Sequence, residues 1–198
     1  MRFIRAIRKL IDKNFWISNI KAAILGLGLI IVVLLLILIF AGRQKNIGAI
    51  EAGRQIVALT DNIRNHYKAR PDFWGLCTDY VIKERFFPSG MRIVGNNLIG
   101  YFDNPVKVGA DENGTPVMPT AKNFVISYQG LNQNQCIALA SQNYEQKFWL
   151  SVAYLVIKNN DGSKKFEWGN QEFGLPLTKK TAKRFCSKNN NLVTFSFE

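Results

Sequence analysis

The chain has 198 residues and a formal net charge of +12 at pH 7, with 26 Lys and Arg, 14 Asp and Glu, one His and three Cys. Such an excess invites a nucleic-acid reading, but six basic residues and one acidic residue sit in the first twenty-one positions and the remaining charges are scattered. The densest later groups, Lys164-Lys165 and Lys179-Lys180 with Lys183-Arg184, are short, whereas a phosphate footprint needs a contiguous patch, so nucleic acid is not an expected partner.

Residues 1–21 carry Arg2, Arg5, Arg8, Lys9, Lys13 and Lys21 against Asp12, while Phe3, Ile4, Ile7, Leu10, Ile11 and Phe15 share the opposite helical face. That pattern suits a basic amphipathic helix in an anionic inner leaflet, or a solvated flank that only sets topology. From Ala22 to Gly42 the run AAILGLGLIIVVLLLILIFAG has no charged or strongly polar side chain, and Lys21 and Arg43 flank it. About twenty apolar residues at roughly 1.5 Å of rise match about 30 Å of bilayer hydrocarbon, where only a helix satisfies every backbone group. A transmembrane helix over 22–42 is expected, with the basic flank retained in the cytoplasm and the rest outside. The run is too long for the h-region of a cleavable signal, about 7–15 residues, and no Ala-x-Ala-like site follows it.

Beyond Arg43 the helical pattern continues. Ile47 and Ile50, then Ile56, Leu59, Ile63 and Tyr67, recur at three, four or six positions, with Arg43, Lys45, Glu51, Arg54, Asp61 and Arg64 elsewhere on the surface. The spacing predicts one helix from about Lys21 to Lys68, whose second half, within residues 43–70, is an amphipathic spine for a head over 71–198. Gly48 and Gly53 each weaken such a helix by about 1 kcal/mol relative to Ala, so bends are expected there. Arg70-Pro71 ends it.

From Pro71 to Pro119 turn residues punctuate short apolar pieces. One brief helix is predicted from Thr78 to Arg85 with Thr78 as its cap, and short strands at Arg92 to Val94 and Val106 to Val108. Asn113-Gly114-Thr115 has the form of a glycosylation sequon and reads as a turn. Phe124 to Tyr128 is then a strand and Asn132 to Ser141 a helix. Leu150 to Lys158 is a strand apolar enough to be covered on both faces. Asn160-Asp161-Gly162 turns the chain into Lys164 to Trp168 as a hairpin. Thr178 caps a helix running to Cys186, and Leu192 to Phe197 alternates as a half-buried strand. The sum is an α+β head, an antiparallel sheet and helices packed on one spine, and about 150 residues suffice for that one core.

Cys136 and Cys186 fall in two segments read as short helices, each beside a strand. In an oxidising exterior such a pair would bridge, closing a loop worth roughly 3–4 kcal/mol on a chain-entropy estimate. Cys77 is left over, as a small buried hydrophobe or a thiol for a partner molecule. Setting Cys77 beside the only histidine, His66, would give a nucleophile and a base. No Gly-rich nucleophile turn, Gly-x-Ser-x-Gly or metal-ligand spacing accompanies them, so no catalytic residue, cofactor or metal is expected. Phe73, Trp74, Phe86, Phe87, Phe148, Trp149 and Trp168 are candidates for an exposed aromatic interface, or else core filling.

The order of these features resembles the type IVb pilins: an apolar helix continuing into an amphipathic one, a variable loop region, then strand, Gly-Leu, helix with Cys, strand, helix with Cys and a last strand. Phe124-Val-Ile-Ser-Tyr-Gln-Gly-Leu-Asn-Gln-Asn-Gln-Cys136 is similar to that family's strand-to-helix segment, and Leu177-Thr-Lys-Lys-Thr-Ala-Lys-Arg-Phe-Cys186 to its second cysteine helix. Asn62-Ile-Arg-Asn-His-Tyr67, Pro71-Asp-Phe-Trp-Gly75 and Pro88-Ser-Gly-Met91 resemble the helix end and loop of the thin-pilus pilins of conjugative plasmids. The resemblance implies a subunit of a bacterial type IV pilus or conjugation or secretion apparatus, without an active site. It would be held in the inner membrane by the apolar helix, with a disulfide-clamped periplasmic head contacting other pilins or machinery proteins, itself included, through non-closing interfaces.

Two family features are missing from the sequence. Family prepilins have a leader ending in Gly and a Glu five residues into the mature helix, whereas the fifth residues after Gly26 and Gly28 are Ile31 and Val33. Counting back from Tyr67 by the family's helix length puts the cut near Trp16-Ile17 and the acidic position at Lys21. An uncleaved, accessory pilin-like protein is therefore expected. The rival reading is a pilus-unrelated inner-membrane channel component whose helix is only a spacer to a partner-binding periplasmic head.

Overall fold

The computed structural model describes residues 27–37, 48–142, 144, 148–149, 151–170 and 172–198. The chain divides into two units, Met1–Lys45 and Asn46–Glu198. In the first, residues 27–37 (LGLIIVVLLLI) form a helix with every residue exposed. Among the described residues no helix is long and apolar enough to cross a membrane. Eleven residues rise only about 16 Å, half of a hydrocarbon layer. The remainder of the expected span, its flanks Lys21 and Arg43, the basic segment 1–21 and the expected continuity through 38–47 all lie outside the described residues.

The second unit begins on a spine helix over residues 48–67. Its inner face is Ala52, Ile56, Leu59, Ile63 and Tyr67, all buried, with Gln55 and Thr60 buried beside them. These recur every three or four positions, the spacing of one helical face. Ile50 departs from the expected stripe and is 41% exposed. Six residues at about 100° each set it roughly 120° away from Ile56, so Ala52 takes the inner position instead. Gly53 sits within the helix for a packing reason: a Cβ there would come 3.1 Å from both Gln142 Cγ and Tyr144 Cε1. Past Tyr67, the Arg70 amide donates to the Tyr67 carbonyl at 2.8 Å and Pro71 stops the helix.

Seven antiparallel strands form one sheet: β1 (Arg92–Val94), β2 (Asn97–Ile99), β3 (Pro105–Gly109), β4 (Phe124–Leu131), β5 (Val152–Asn159), β6 (Gly162–Glu167) and β7 (Asn191–Phe197). Their spatial order is β1-β2-β3-β4-β7-β5-β6. The register sets Val106, Val108, Phe124, Ile126, Tyr128, Val193, Phe195, Phe197, Leu155 and Ile157 on one face, and all are buried in one cluster with the spine's inner face. Among the described residues, the helices Thr78–Glu84, Gln133–Ala140 and Lys179–Phe185 also belong to the head.

Several local expectations change. Thr78 does not cap its helix; the N-cap is Cys77, and the Thr78 hydroxyl accepts from the Val108 amide at 2.9 Å. Strand β2 emerges within what reads as turn residues, because Gly95 and Asn96 alone make the turn and Asn97 already pairs with Val94. Strand β5 has a bulge between Val152 and Tyr154, and its residues Ala153, Tyr154 and Val156 are half-buried rather than covered. Strand β7 is more buried than its alternation implies. It is central, and Thr194 and Ser196 are enclosed on the second face, Thr194 paired with the Ser127 hydroxyl at 2.9 Å.

The 110–116 loop reaches across that second face. The Glu112 carbonyl accepts from the Gln129 side chain at 3.0 Å, and its carboxylate pairs with Lys158. Gly109 makes this fold-back possible, because a Cβ there would lie 2.3 Å from the Thr115 carbonyl oxygen.

Leu59→Ala should lower the unfolding free energy of the full chain in detergent by about 2–5 kcal/mol. Ile50→Ala should change it by under about 0.5 kcal/mol, the difference being read from urea midpoints followed by tryptophan fluorescence.

Candidate functional site

One closely tied region of the head is built around the second cysteine. Cys136 and Cys186 are joined, with Cα atoms 5.9 Å apart and a separation of 50 positions in sequence. Asn132 opens the first cysteine helix with a reciprocal capping box to Gln135, and Thr178 opens the second by accepting from the Thr181 amide. Buried Asn191 then ties the region to β4 and the 187 turn. Its Nδ2 donates to the carbonyls of Leu131 and Ser187, and its Oδ1 accepts from the Ser187 amide at 2.7 Å. Gln133 adds two more links, its amide to the Lys188 carbonyl and its side chain to the Cys186 carbonyl. No sequence pattern marks Asn191; it follows two other asparagines, and only its burial sets it apart.

Cys77 is a free, half-buried thiol at the start of the Thr78–Glu84 helix. It is not paired with His66 in a nucleophile arrangement. The imidazole Nε2 instead meets the Tyr80 hydroxyl at 3.1 Å, and the ring stacks on Phe86 at 4.5 Å. Beside them Tyr67 donates to the Trp74 carbonyl, and burial, with Tyr80 adding to it, pushes its phenol up to about 12. Burial also raises Tyr128 and Tyr144, so these phenols stay neutral across the range in which the protein works.

The seven candidate aromatics separate by placement. Phe148 and Trp149 are in the core, contrary to an interface role. Phe148 stacks on Tyr144 at 4.3 Å and meets Phe195 and Phe197 edge-on. Phe73, Phe86 and Phe87 are half-buried and packed against the core, Phe73 lying 4.6 Å from Phe124. Trp74 is 60% exposed and Trp168 45% exposed. Trp168 is fixed by its indole nitrogen, which donates to the Val152 carbonyl at 2.9 Å. Trp74 is fixed through its backbone. Asp72 accepts from the amides of Trp74 and Thr120, and Gly75 donates to the Val117 carbonyl, pinning the Trp74 loop to the loop that presents Met118, itself 69% exposed. Met118 was not legible as a surface residue, since a lone Met between loops carries no periodicity.

A groove of about 420 Å³ runs along the spine, lined by Ile50, Arg54, Val57, Asp61, Arg64 and Phe148 among others. Arg64 donates to the main-chain oxygen of Glu198, and burial lowers its pKa against the opposing pull of Asp61. Nothing in these arrangements brings a nucleophile, a base and an oxyanion donor together; what they hold is surface.

A family model, Bundlin, matches residues 44–194. The chain belongs to the bundlin family, the type IVb pilins. Members are structural subunits of type IV pili and not enzymes. Among solved structures, the type IVb pilin of Salmonella typhi is similar at 17% identity and a TM-score of 0.48, covering 73% of this chain and 95% of that one. TcpA, a type IV pilin from Vibrio cholerae El Tor biotype, is similar at 11% identity and a TM-score of 0.50, covering 76% of this chain and 99% of that one. Likeness at 11% identity is a likeness of fold. Among curated proteins, none matches the sequence. In this bundlin-family chain the disulfide joins the two cysteine helices of the head.

Mapping of peptides without reduction should join Cys136 to Cys186 and leave Cys77 open to alkylation, and the double variant Cys136→Ala/Cys186→Ala should lose about 3–4 kcal/mol of stability. A second test concerns Asp111, whose carboxylate accepts from Thr115 hydroxyl and amide and from the Asn113 amide. The Thr115 side chain is the largest cause holding its pKa below the ordinary 3.8. A depressed folded value means stabilisation that is complete above the unfolded pKa and is lost as pH falls through the folded one. Thr115→Val should raise the Asp111 midpoint in a carboxyl-carbon NMR titration, and its stability deficit at neutral pH should shrink towards zero in acid.

Proposed function

We propose that this type IVb pilin-family chain is a single-pass inner-membrane subunit of a type IV pilus or of a conjugation or secretion apparatus built on one, and that it acts by protein–protein assembly. The organisation is a basic cytoplasmic segment over 1–21, a transmembrane helix over 22–42, an amphipathic spine over 43–70 and a periplasmic or extracellular head over 71–198. The supporting observation is the burial of Ala52, Ile56, Leu59, Ile63 and Tyr67 in the head's own core. A channel subunit would need the segment after the apolar run only as a spacer, and a spacer has no reason to place one whole face beneath a sheet.

The apolar sequence anchors the subunit before assembly, and the exposed Trp74 with its neighbour loop, together with Trp168, supplies contacts to other pilins or machinery proteins. Phe73, Phe86 and Phe87 support that surface from below. Large, pinned aromatics lose little freedom on association, which is why they dominate interfaces.

Membranes washed in alkaline carbonate should retain the chain, and protease added to the periplasmic side should reach the head but not residues 1–21. Release by carbonate, or a protected head, refutes the topology. Trp74→Ala should reduce crosslinking to neighbouring pilus subunits several-fold while leaving the urea midpoint of the chain unchanged.

A further inference from the structure

One strongly charged surface lies apart from the head's ion pairs. After residue 47 the chain has eighteen Lys and Arg against thirteen Asp and Glu, an excess of five. Between Phe173 and Phe197 it has Lys179, Lys180, Lys183, Arg184 and Lys188 and no acidic residue, so this single stretch equals the whole excess.

The fold concentrates it further. On the Lys179–Phe185 helix, Lys179, Lys180, Lys183 and Arg184 are all exposed, while Ala182 is buried and Phe185 half-buried. Lys179 with Lys183, and Lys180 with Arg184, are neighbours at i,i+4 and form two adjacent cationic columns. A further cation arrives from the edge strand β6. The Lys164 ammonium sits 3.3 Å from the centre of the Phe173 ring, Phe173 packs 5.8 Å from Phe185, and the Arg184 guanidinium lies 5.6 Å from the Phe185 ring. At the other end Lys188 is held by its carbonyl, which accepts from Gln133, two residues beyond the bridged Cys186.

Among the described residues, no carboxylate lies within 4.0 Å of any of these six cations; the four ion pairs there are Arg54–Glu51, Arg92–Asp103, Lys158–Glu112 and Lys165–Glu167. The adjoining helix Gln133–Ala140 is uncharged. The expectation of scattered charge therefore does not hold in three dimensions, because β6 and the second cysteine helix meet through Phe166, Phe173 and Phe185.

We propose that this cationic face binds the phosphodiester backbone of DNA without sequence preference, independently of the assembly role. Three features favour that occupant. Four of the chain's acidic residues, Glu51, Asp103, Glu112 and Glu167, are already paired with cations of their own chain, which leaves a second copy fewer free carboxylates to offer. An interfacial membrane helix needs exposed apolar side chains, and here the exposed positions are cationic while the apolar ones turn inward. A phosphate backbone needs only spaced cations and amide donors, and exposed Asn189 and Asn190 follow Lys188.

The test uses the full chain in uncharged detergent and a fluorescein-labelled DNA duplex, with binding read by anisotropy across a salt series. Each lost phosphate contact removes about 0.9 from the slope of log affinity against log salt. Lys179→Gln/Lys180→Gln/Lys183→Gln/Arg184→Gln should weaken binding at least about tenfold and flatten that slope by about 3–4. A charge-matched control, Lys68→Gln/Arg70→Gln/Lys83→Gln/Lys122→Gln, should stay within about twofold, with residues 1–21 common to every variant. Circular dichroism must show both variants folded. Equal losses in the two variants, or none in either, overturn the proposal. So does loss of binding to phosphatidylglycerol vesicles by the first variant while its DNA binding is unchanged, which would assign the face to an anionic membrane.

Discussion

The burial of one face of the 48–67 helix against one face of the sheet is the interaction on which the rest of the head depends. Ile56, Leu59, Ile63 and Tyr67 are almost wholly removed from water. At about 1.5–3 kcal/mol per large side chain, that burial is worth roughly 6–12 kcal/mol, an amount comparable to the entire stability of a typical domain. The core of the head therefore includes the 48–67 helix itself, and the sheet's buried face depends on it.

The second constraint is covering the sheet's other face. The 110–116 loop does part of this through Glu112, Gln129 and Lys158, and the buried Ser127 and Thr194 hydroxyls pair with each other. The disulfide and Asn191 then hold the second cysteine helix and the final turn to the strands. The surfaces proposed for partners, the pinned loop bearing Trp74, the indole of Trp168 and the cationic helix, stand on this frame. A pilus subunit needs such rigid patches, since contacts repeated along a filament multiply any looseness in each one.

Much of this was legible from the residues, and the misses have definite causes. The two cysteines announced their pairing because each lies in a short helical segment beside a strand. Ile56, Leu59, Ile63 and Tyr67 announced the inner helical face by their spacing, whereas Ile50 misled because an interval of six does not return to the same side. Thr78 looked like a cap because Thr favours that position, but its hydroxyl found the Val108 backbone instead. Phe148 and Trp149 could not be told from Trp74 and Trp168, since all are large aromatics and only the tertiary surroundings separate core from surface.

The sequence by itself determined the apolar run, the alternation of strands and helices, the turns and the cysteine pair, because these rest on periods and preferences that act over a few neighbouring residues. Tertiary structure alone decided that Thr194 and Ser196 are enclosed, that Trp74 stands on a pinned loop beside Met118, and that Lys164 joins Lys179, Lys180, Lys183 and Arg184 on one face. Burial and charge density are properties of what lies across space, and residues fifteen or more positions apart acquire them only when the strands pair and the helices pack.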